Sequence, residues 1–133
     1  MVESVEQRIV RFDLVMACVT VANGFVLASG LGLQPGNIVA GTAVALATTV
    51  LHVGADRSRL GLWMFVVVGV LVVAGLVFVM VELATAGTES WVFGVIPGGM
   101  VGLGVGWLLN RVLFGVVGSV PDTRVERGLR WSW

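Results

Sequence analysis

Residues 60–81 read LGLWMFVVVGVLVVAGLVFVMV, an apolar stretch that contains no charged side chain. About 20 apolar residues in a helix are enough to cross the hydrocarbon core of a bilayer. Hydrocarbon offers no water to pair with free backbone N–H and C=O groups, so a segment of this kind is expected to be helical. The stretch therefore predicts a transmembrane helix.

Three further apolar stretches are long enough to form spans of their own. We place these spans at residues 14–33, 37–55 and 91–109. The links between them are short, which favours antiparallel packing of consecutive helices. The sequence thus predicts one all-α integral membrane domain over residues 1–133. Its four transmembrane helices are expected to form an up-down-up-down bundle of two antiparallel hairpins.

The composition agrees with a surface that faces lipid. Hydrophobic residues make up 57% of the chain and charged residues only 12%, and the mean hydropathy is +1.00. A soluble domain carries about 25% charged residues. The formal net charge is +0, which argues against a nucleic-acid-binding protein because such proteins carry a basic patch. The single cysteine, Cys18, leaves no disulfide framework and no cysteine-based zinc site.

The eight basic residues are all arginines, and they flank alternate ends of the predicted spans. They are Arg8 and Arg11 before the first span, Arg57 and Arg59 between the second and third, and Arg111, Arg124, Arg127 and Arg130 after the fourth. Positively charged flanks stay in the cytoplasm during membrane insertion. We therefore expect a multi-pass protein of the cell membrane with both termini in the cytoplasm.

One alternative for the first span is a cleaved secretory signal peptide. Arg8 and Arg11 resemble its basic leading region, and residues 28–30 resemble its small-residue cleavage site. Against this alternative, Glu3, Glu6 and Asp13 make the leading segment acidic for that role, and the apolar run continues past the site. The four-span prediction is retained.

The fourth span carries glycine at every fourth position from residue 94 to residue 106. Residues four apart share one face of a helix, and a face of small residues lets a second helix approach closely in lipid. We interpret this glycine zipper, with small residues of the first two spans, as helix-packing surface. The predicted packing positions are Gly94, Gly98, Gly102, Gly106, Gly24, Ala28, Gly41 and Ala45. Three roles remain open for this small-residue surface: packing within the chain, homo-oligomerisation and the lining of a conduit.

Few polar side chains lie at the predicted membrane depth. Asn23 is the most central of them and is expected to form an interhelical hydrogen bond, with contact to a solute as the alternative. His52 and Asp56 are four residues apart and share a helix face. Asp13 and Arg111 are expected near them, at the cytoplasmic end. We interpret this cluster as anchoring and ion pairing, with a pH-sensitive histidine as the alternative. One histidine with scattered carboxylates predicts no metal site.

Two terminal segments flank the spans. Ser4 and Gln7 have the spacing of a capping box, which predicts a helix that begins ahead of the first span. Pro121 interrupts the apolar chain, and a basic tail that ends in Trp131 and Trp133 follows it. Such a tail suits an anionic membrane surface, and docking to a protein is the competing interpretation.

No catalytic constellation is recognisable, and GLGVG at residues 102–106 does not fit the dinucleotide-binding pattern. We therefore expect neither an enzyme nor a cofactor. The predicted function is that of a non-enzymatic small integral membrane protein that acts through helix–helix packing, as an oligomer or an accessory subunit of a membrane complex. A small oligomeric channel or transporter for an ion or small solute is the alternative, and an intramembrane enzyme is the third class. The expected partners are membrane lipid and further copies or subunits, but not nucleic acid.

Overall fold

The computed structural model describes residues 4–32, 34–86 and 91–130, and all regular structure in these ranges is helical. Its α-helices are α1 (Val5–Leu31), α2 (Pro35–Arg57), α3 (Arg59–Ala86), α4 (Ile96–Arg111) and α5 (Asp122–Arg130). A 3₁₀ turn, Trp91–Gly94, precedes α4, and a π-helical turn, Val112–Val117, follows it. Glu3, Leu33 and the tryptophans at 131 and 133 lie outside the described residues.

Four helical segments are long and apolar enough to cross a membrane, which confirms the prediction of an all-helical chain with four such helices. They are Val5–Leu31, Pro35–Arg57, Arg59–Glu82 and Ile96–Val117. These helices have the length and composition expected of a multi-pass membrane protein.

Two helix starts differ from the predicted spans for local reasons. α1 begins at Val5 because Ser4 caps it: Ser4 Oγ accepts a hydrogen bond from Gln7 N at 3.2 Å, and Gln7 Oε1 accepts one from Ser4 N at 3.1 Å. This is the predicted capping box. α4 begins at Ile96 rather than at residue 91, with Pro97 in its first turn. Proline suits that position, where its missing N–H costs no helical hydrogen bond, so Pro97 starts the helix instead of kinking it.

α4 is the central helix of the bundle. It lies between α1 and α2, while α3 packs against α2. Gly41 of α2 lies against Gly98 of α4, and Ala45 lies against Gly106. Residue numbers therefore rise in the same direction along α2 and α4, and the two helices are parallel.

α1 packs on the other side of α4 and runs antiparallel to it. Gly24 lies against Val101, and Ala17 lies against Gly104. The chief neighbour of α1 is thus α4 rather than α2, and the helix order across the bundle is α1, α4, α2, α3. In two hairpins placed side by side, α1 would pack mainly against α2, and α3 against α4. The observed order differs because α4 carries glycines on two sides, so that α1 and α2 can both pack closely against it.

α3 packs mainly against one helix, α2. Gly61 of α3 lies against Gly54 of α2, and it is the only buried residue among those of α3 whose burial is described. Aliphatic side chains such as Leu71, Val73 and Val77 are exposed along the rest of α3. An exposed face of this composition suits lipid rather than water.

Candidate functional site

Three helices bring charged side chains together at one end of the bundle, which we call the charged end. Arg111 of α4, Asp13 of α1 and Asp56 of α2 are only 0%, 1% and 3% exposed. Arg111 Nη2 lies 2.8 Å from Asp13 Oδ2 and 3.2 Å from Asp56 Oδ2. One guanidinium therefore ties three helices together. We call these three residues the charge cluster.

The turn after α4 helps to position Arg111. Arg111 is the last residue of α4, and the backbone leaves helical geometry at Phe114 and Gly115 within the π-helical turn. Arg111 Nη1 donates a hydrogen bond to Phe114 O at 3.2 Å. A Cβ at Gly115 would come within 2.8 Å of the Val10 side chain, so this turn packs closely on α1. The guanidinium is thus held both by carboxylates and by the folded-back chain.

α5 adds two more arginines to the charge cluster. Arg124 Nη2 lies 3.4 Å from Asp13 Oδ2, and Arg124 Nε lies 3.9 Å from Asp56 Oδ1. Arg127 Nη2 lies 4.0 Å from Asp56 Oδ1. The assembled group contains two carboxylates and three guanidiniums, so its formal charge is +1. An unpaired buried carboxylate would cost several kcal/mol, so α5 contributes to the neutralisation that this burial requires.

Backbone carbonyls at the end of α2 fix α5 in place. Arg127 Nη2 donates a hydrogen bond to Ala55 O at 2.7 Å, and the Thr123 hydroxyl donates one to Asp56 O. The last carbonyls of a helix lack partners within it, and a cation is favoured there by the helix dipole. Burial of the guanidinium and the nearby Arg124 lower the pKa of Arg127, while Asp56 opposes that shift. Arginine nevertheless stays charged in proteins.

Two buried polar atoms of this region have no hydrogen-bond partner among the described residues. They are Asn110 Oδ1 and Arg111 Nε. The amide nitrogen Nδ2 of Asn110 is 3.5 Å from Asp56 Oδ2, at the limit of a hydrogen bond. Each unpaired buried polar group costs about 1–3 kcal/mol. The cluster therefore combines strong ion pairs with incompletely satisfied polar atoms.

His52 lies one turn before Asp56 but forms no ion pair with it within the described structure. His52 Nδ1 is 2.8 Å from Thr48 O, so that nitrogen donates the hydrogen bond. The imidazole packs at centroid distances of 4.9 Å from Phe65 and 5.5 Å from Trp107. It borders a mainly apolar cavity of about 280 Å³ between α2, α3 and α4. The structure thus places His52 among aromatic rings and outside the charge cluster.

Asn23 occupies a different environment from the one expected. Its side chain is exposed on α1 and forms no interhelical hydrogen bond within the described chain. Asn37 forms that kind of contact instead: it is 2% exposed, and its Oδ1 accepts a hydrogen bond from Gly98 N at 3.1 Å. The sequence concealed this role because Asn37 follows Pro35 and Gly36, where it resembles a turn residue.

The structure places the predicted packing positions at contacts within the chain. A Cβ added to Gly98, Gly102 or Gly106 would overlap the backbone of α2. A Cβ at Gly24 would lie 2.6 Å from a Val101 methyl group, and a Cβ at Gly94 would lie 2.8 Å from Gln34 Oε1. Ala28, Gly41 and Ala45 line an open, mainly apolar groove of about 400 Å³ that runs over α4.

Among residues 4–32, 34–86 and 91–130, no group of three or more His, Cys, Asp or Glu side chains is arranged to hold a metal ion. Comparison of the chain with protein-family models, with curated proteins and with solved structures gave no match.

Proposed function

We propose that the chain is a non-enzymatic integral protein of the cell membrane that acts through helix–helix contacts, as a homo-oligomer or as an accessory subunit of a membrane complex. We further propose that the four helices are threaded up-down-up-down with both termini in the cytoplasm. The gathering of Arg111, Arg124 and Arg127 at the charged end supports this orientation, because positively charged ends stay inside.

The observation that carries the proposal is the exposed amide of Asn23. This residue lies ten positions after Asp13 of the charge cluster, which corresponds to about 15 Å along a helix axis. That depth is close to the middle of a hydrocarbon layer about 30 Å thick. A primary amide facing lipid is unfavourable, and pairing with a second transmembrane helix satisfies it.

The surroundings of Asn23 support a helix partner in preference to a solute. Met16, Leu27 and Gly30 are exposed at helical spacing on the same side of α1, so that face offers apolar surface on both sides of the amide. A Cβ at Gly30 would meet no atom within 4 Å. The face therefore has room for close approach of another helix.

Replacement of Asn23 by Val tests the proposal. We expect association of the detergent-solubilised chain to weaken by about 1–2 kcal/mol, the contribution of an interhelical polar contact in membranes. Analytical ultracentrifugation or native mass spectrometry measures the change. Thr42→Val is the matched control, because Thr42 is also exposed but already donates its hydroxyl to Ile38 O at 2.9 Å. Equal association of both variants and the wild type would contradict the proposal.

A small oligomeric channel or transporter is the second candidate. It is favoured by the open groove over α4, which contains the buried Asn37, whose Nδ2 has no partner among the described residues. Buried polar residues of transmembrane bundles often mark transport pathways. Solute flux into proteoliposomes that is abolished by Asn37→Leu would favour this candidate over a purely structural role.

A further inference from the structure

A separate cavity opens at the charged end, between the α2–α3 junction and α5. It encloses about 340 Å³, and its charged lining comprises Arg57, Arg59, Arg127 and Glu126. Guanidiniums outnumber carboxylates in this lining by three to one, although Arg127 also lies 4.0 Å from Asp56 Oδ1. The cavity is therefore suited to an anion.

Two of these guanidiniums are not neutralised within the described chain. Arg57 stacks over the Phe114 ring at 5.1 Å, and neither Arg57 nor Arg59 has a carboxylate within 4.0 Å among the described ion pairs. Arg127 differs, since it already donates to two backbone carbonyls. The charge available for a ligand thus resides mainly on Arg57 and Arg59.

The position of the cavity favours an anion that belongs to a membrane lipid over a soluble one. Arg57 ends α2 and Arg59 begins α3, so both lie where apolar helices give way to polar chain. Leu62 lines the cavity one turn further along α3, and Trp63 beside it is 67% exposed. A molecule with its charge in the cavity can therefore lay apolar chains along the lipid-facing surface of α3.

We propose that this cavity binds the phosphate of an anionic membrane lipid. Guanidinium groups bind phosphate through paired, charge-assisted hydrogen bonds, and basic pockets between transmembrane helices recognise lipid headgroups. Arg57 and Arg59 provide the main contacts with the phosphate. Arg127 adds a weaker electrostatic attraction, because its guanidinium already interacts with Asp56 and Ala55 O. The site rests on membrane insertion of the four helices, which the proposed function shares, and it is independent of association through Asn23.

Lipid titration of the full-length chain in detergent, followed by native mass spectrometry, tests this site. The probes are phosphatidylglycerol, phosphatidylcholine and the soluble headgroup glycerol 3-phosphate. We expect phosphatidylglycerol to bind more tightly than phosphatidylcholine. Arg59→Gln should weaken phosphatidylglycerol binding roughly fivefold, and the Arg57→Gln/Arg59→Gln double variant roughly thirtyfold, as expected for the loss of one or two arginines near the lipid.

Arg8→Gln is the matched control, because it removes one exposed arginine from a helix that does not line the cavity. We expect it to change the affinity for phosphatidylglycerol by less than about twofold, since interactions between exposed charges that are not in contact are weakened by salt. Arg59 is exposed and has no described ion pair, so the unfolding temperature of Arg59→Gln in phosphatidylcholine should stay at the wild-type value. The Asn23→Val variant should retain the wild-type affinity for phosphatidylglycerol, which separates this site from self-association.

Three results would overturn the site. The first is equal affinity for phosphatidylglycerol and phosphatidylcholine. The second is an equal loss in Arg8→Gln and Arg59→Gln, which would indicate general attraction to negative charge. The third is competition by glycerol 3-phosphate as strong as that by phosphatidylglycerol, which would identify a soluble phosphate compound as the ligand.

Discussion

Arg111 is completely buried between two carboxylates, and desolvation dominates the energetics of this arrangement. Removing one member of a buried ion pair leaves an uncompensated charge and costs about 3–5 kcal/mol. Arg111→Gln would leave Asp13 and Asp56 facing each other with only the α5 arginines nearby. We expect the unfolding free energy in detergent to fall by about that amount, measured by thermal or denaturant unfolding.

The control for Arg111 is Arg8→Gln, which removes an exposed guanidinium and should change stability by less than about 0.5 kcal/mol. Replacing the three buried charged residues with apolar ones, as in Asp13→Leu/Asp56→Leu/Arg111→Met, should recover part of the loss, because Arg111 and the two carboxylates no longer have to be desolvated. The recovery is partial, because Arg124 and Arg127 then lose their carboxylate partners. Wild-type stability of Arg111→Gln would contradict the pairing described for the charge cluster.

Glycines of α4 differ in the space around them, which gives a second prediction at the scale of single residues. A Cβ at Gly102 would overlap the carbonyl of Gly41, whereas a Cβ at Gly99 would meet no atom within 4 Å. We expect Gly102→Ala to destabilise the protein by about 1–3 kcal/mol through overpacking. Gly99→Ala should be neutral or stabilising by up to about 1 kcal/mol, because alanine favours helix.

Unfolding midpoints of the two alanine variants in detergent provide the measurement. A similar loss of stability in Gly99→Ala and Gly102→Ala would show that helix propensity, and not contact with α2, determines the effect.

The helix α5 contains only two aliphatic side chains, Val125 and Leu129. Its position against the bundle therefore depends on polar contacts. Arg124 and Arg127 reach the carboxylates of the charge cluster, and Arg127 also binds the last turn of α2. Val120, which precedes α5, is 3% exposed, and its N–H donates to Glu6 Oε1 at 2.9 Å. Two attachments, one on each side of Pro121, thus hold the segment against the bundle.

The Arg124→Gln/Arg127→Gln variant should release α5 without unfolding the spans. We expect faster hydrogen exchange in the last turn of α2 and about 1–3 kcal/mol lower stability, because carbonyl and carboxylate partners lose their donors. Glu126→Gln is the control on the same helix, since Glu126 is exposed and has no described contact to the charge cluster. Unchanged exchange at residues 52–57 in the double variant would contradict the attachment.

For the whole molecule, the four spans could be predicted because each apolar run has the length that a bilayer requires. The charge cluster was predictable only in its approximate location: helix ends put Asp13, Asp56 and Arg111 at one level, but the sequence could not specify which atoms pair. Pairing depends on the helix order, and that order follows from the two-sided glycine surface of α4.

The environments of Asn23 and Asn37 show why burial could not be predicted. A helix that is apolar all round has no periodic pattern to identify its inner face, so the central position of Asn23 gave its depth but not its direction. For Asn37, the adjacent Pro-Gly pair predicted an exposed turn, so its buried hydrogen bond with Gly98 N could not be predicted. In both residues, the tertiary arrangement determines which side of the helix is covered.

The central claim is a chain that crosses the membrane four times with its arginine-bearing ends in one compartment. Cysteine labelling in intact cells tests it most directly, with single cysteines at Ser58, Ser119 or Gln34 in a Cys18→Ser background; all three positions are exposed. The account predicts that a membrane-impermeant maleimide labels position 34 from outside and reaches positions 58 and 119 only after the cells are opened. Labelling of positions 58 and 119 from opposite sides would contradict it.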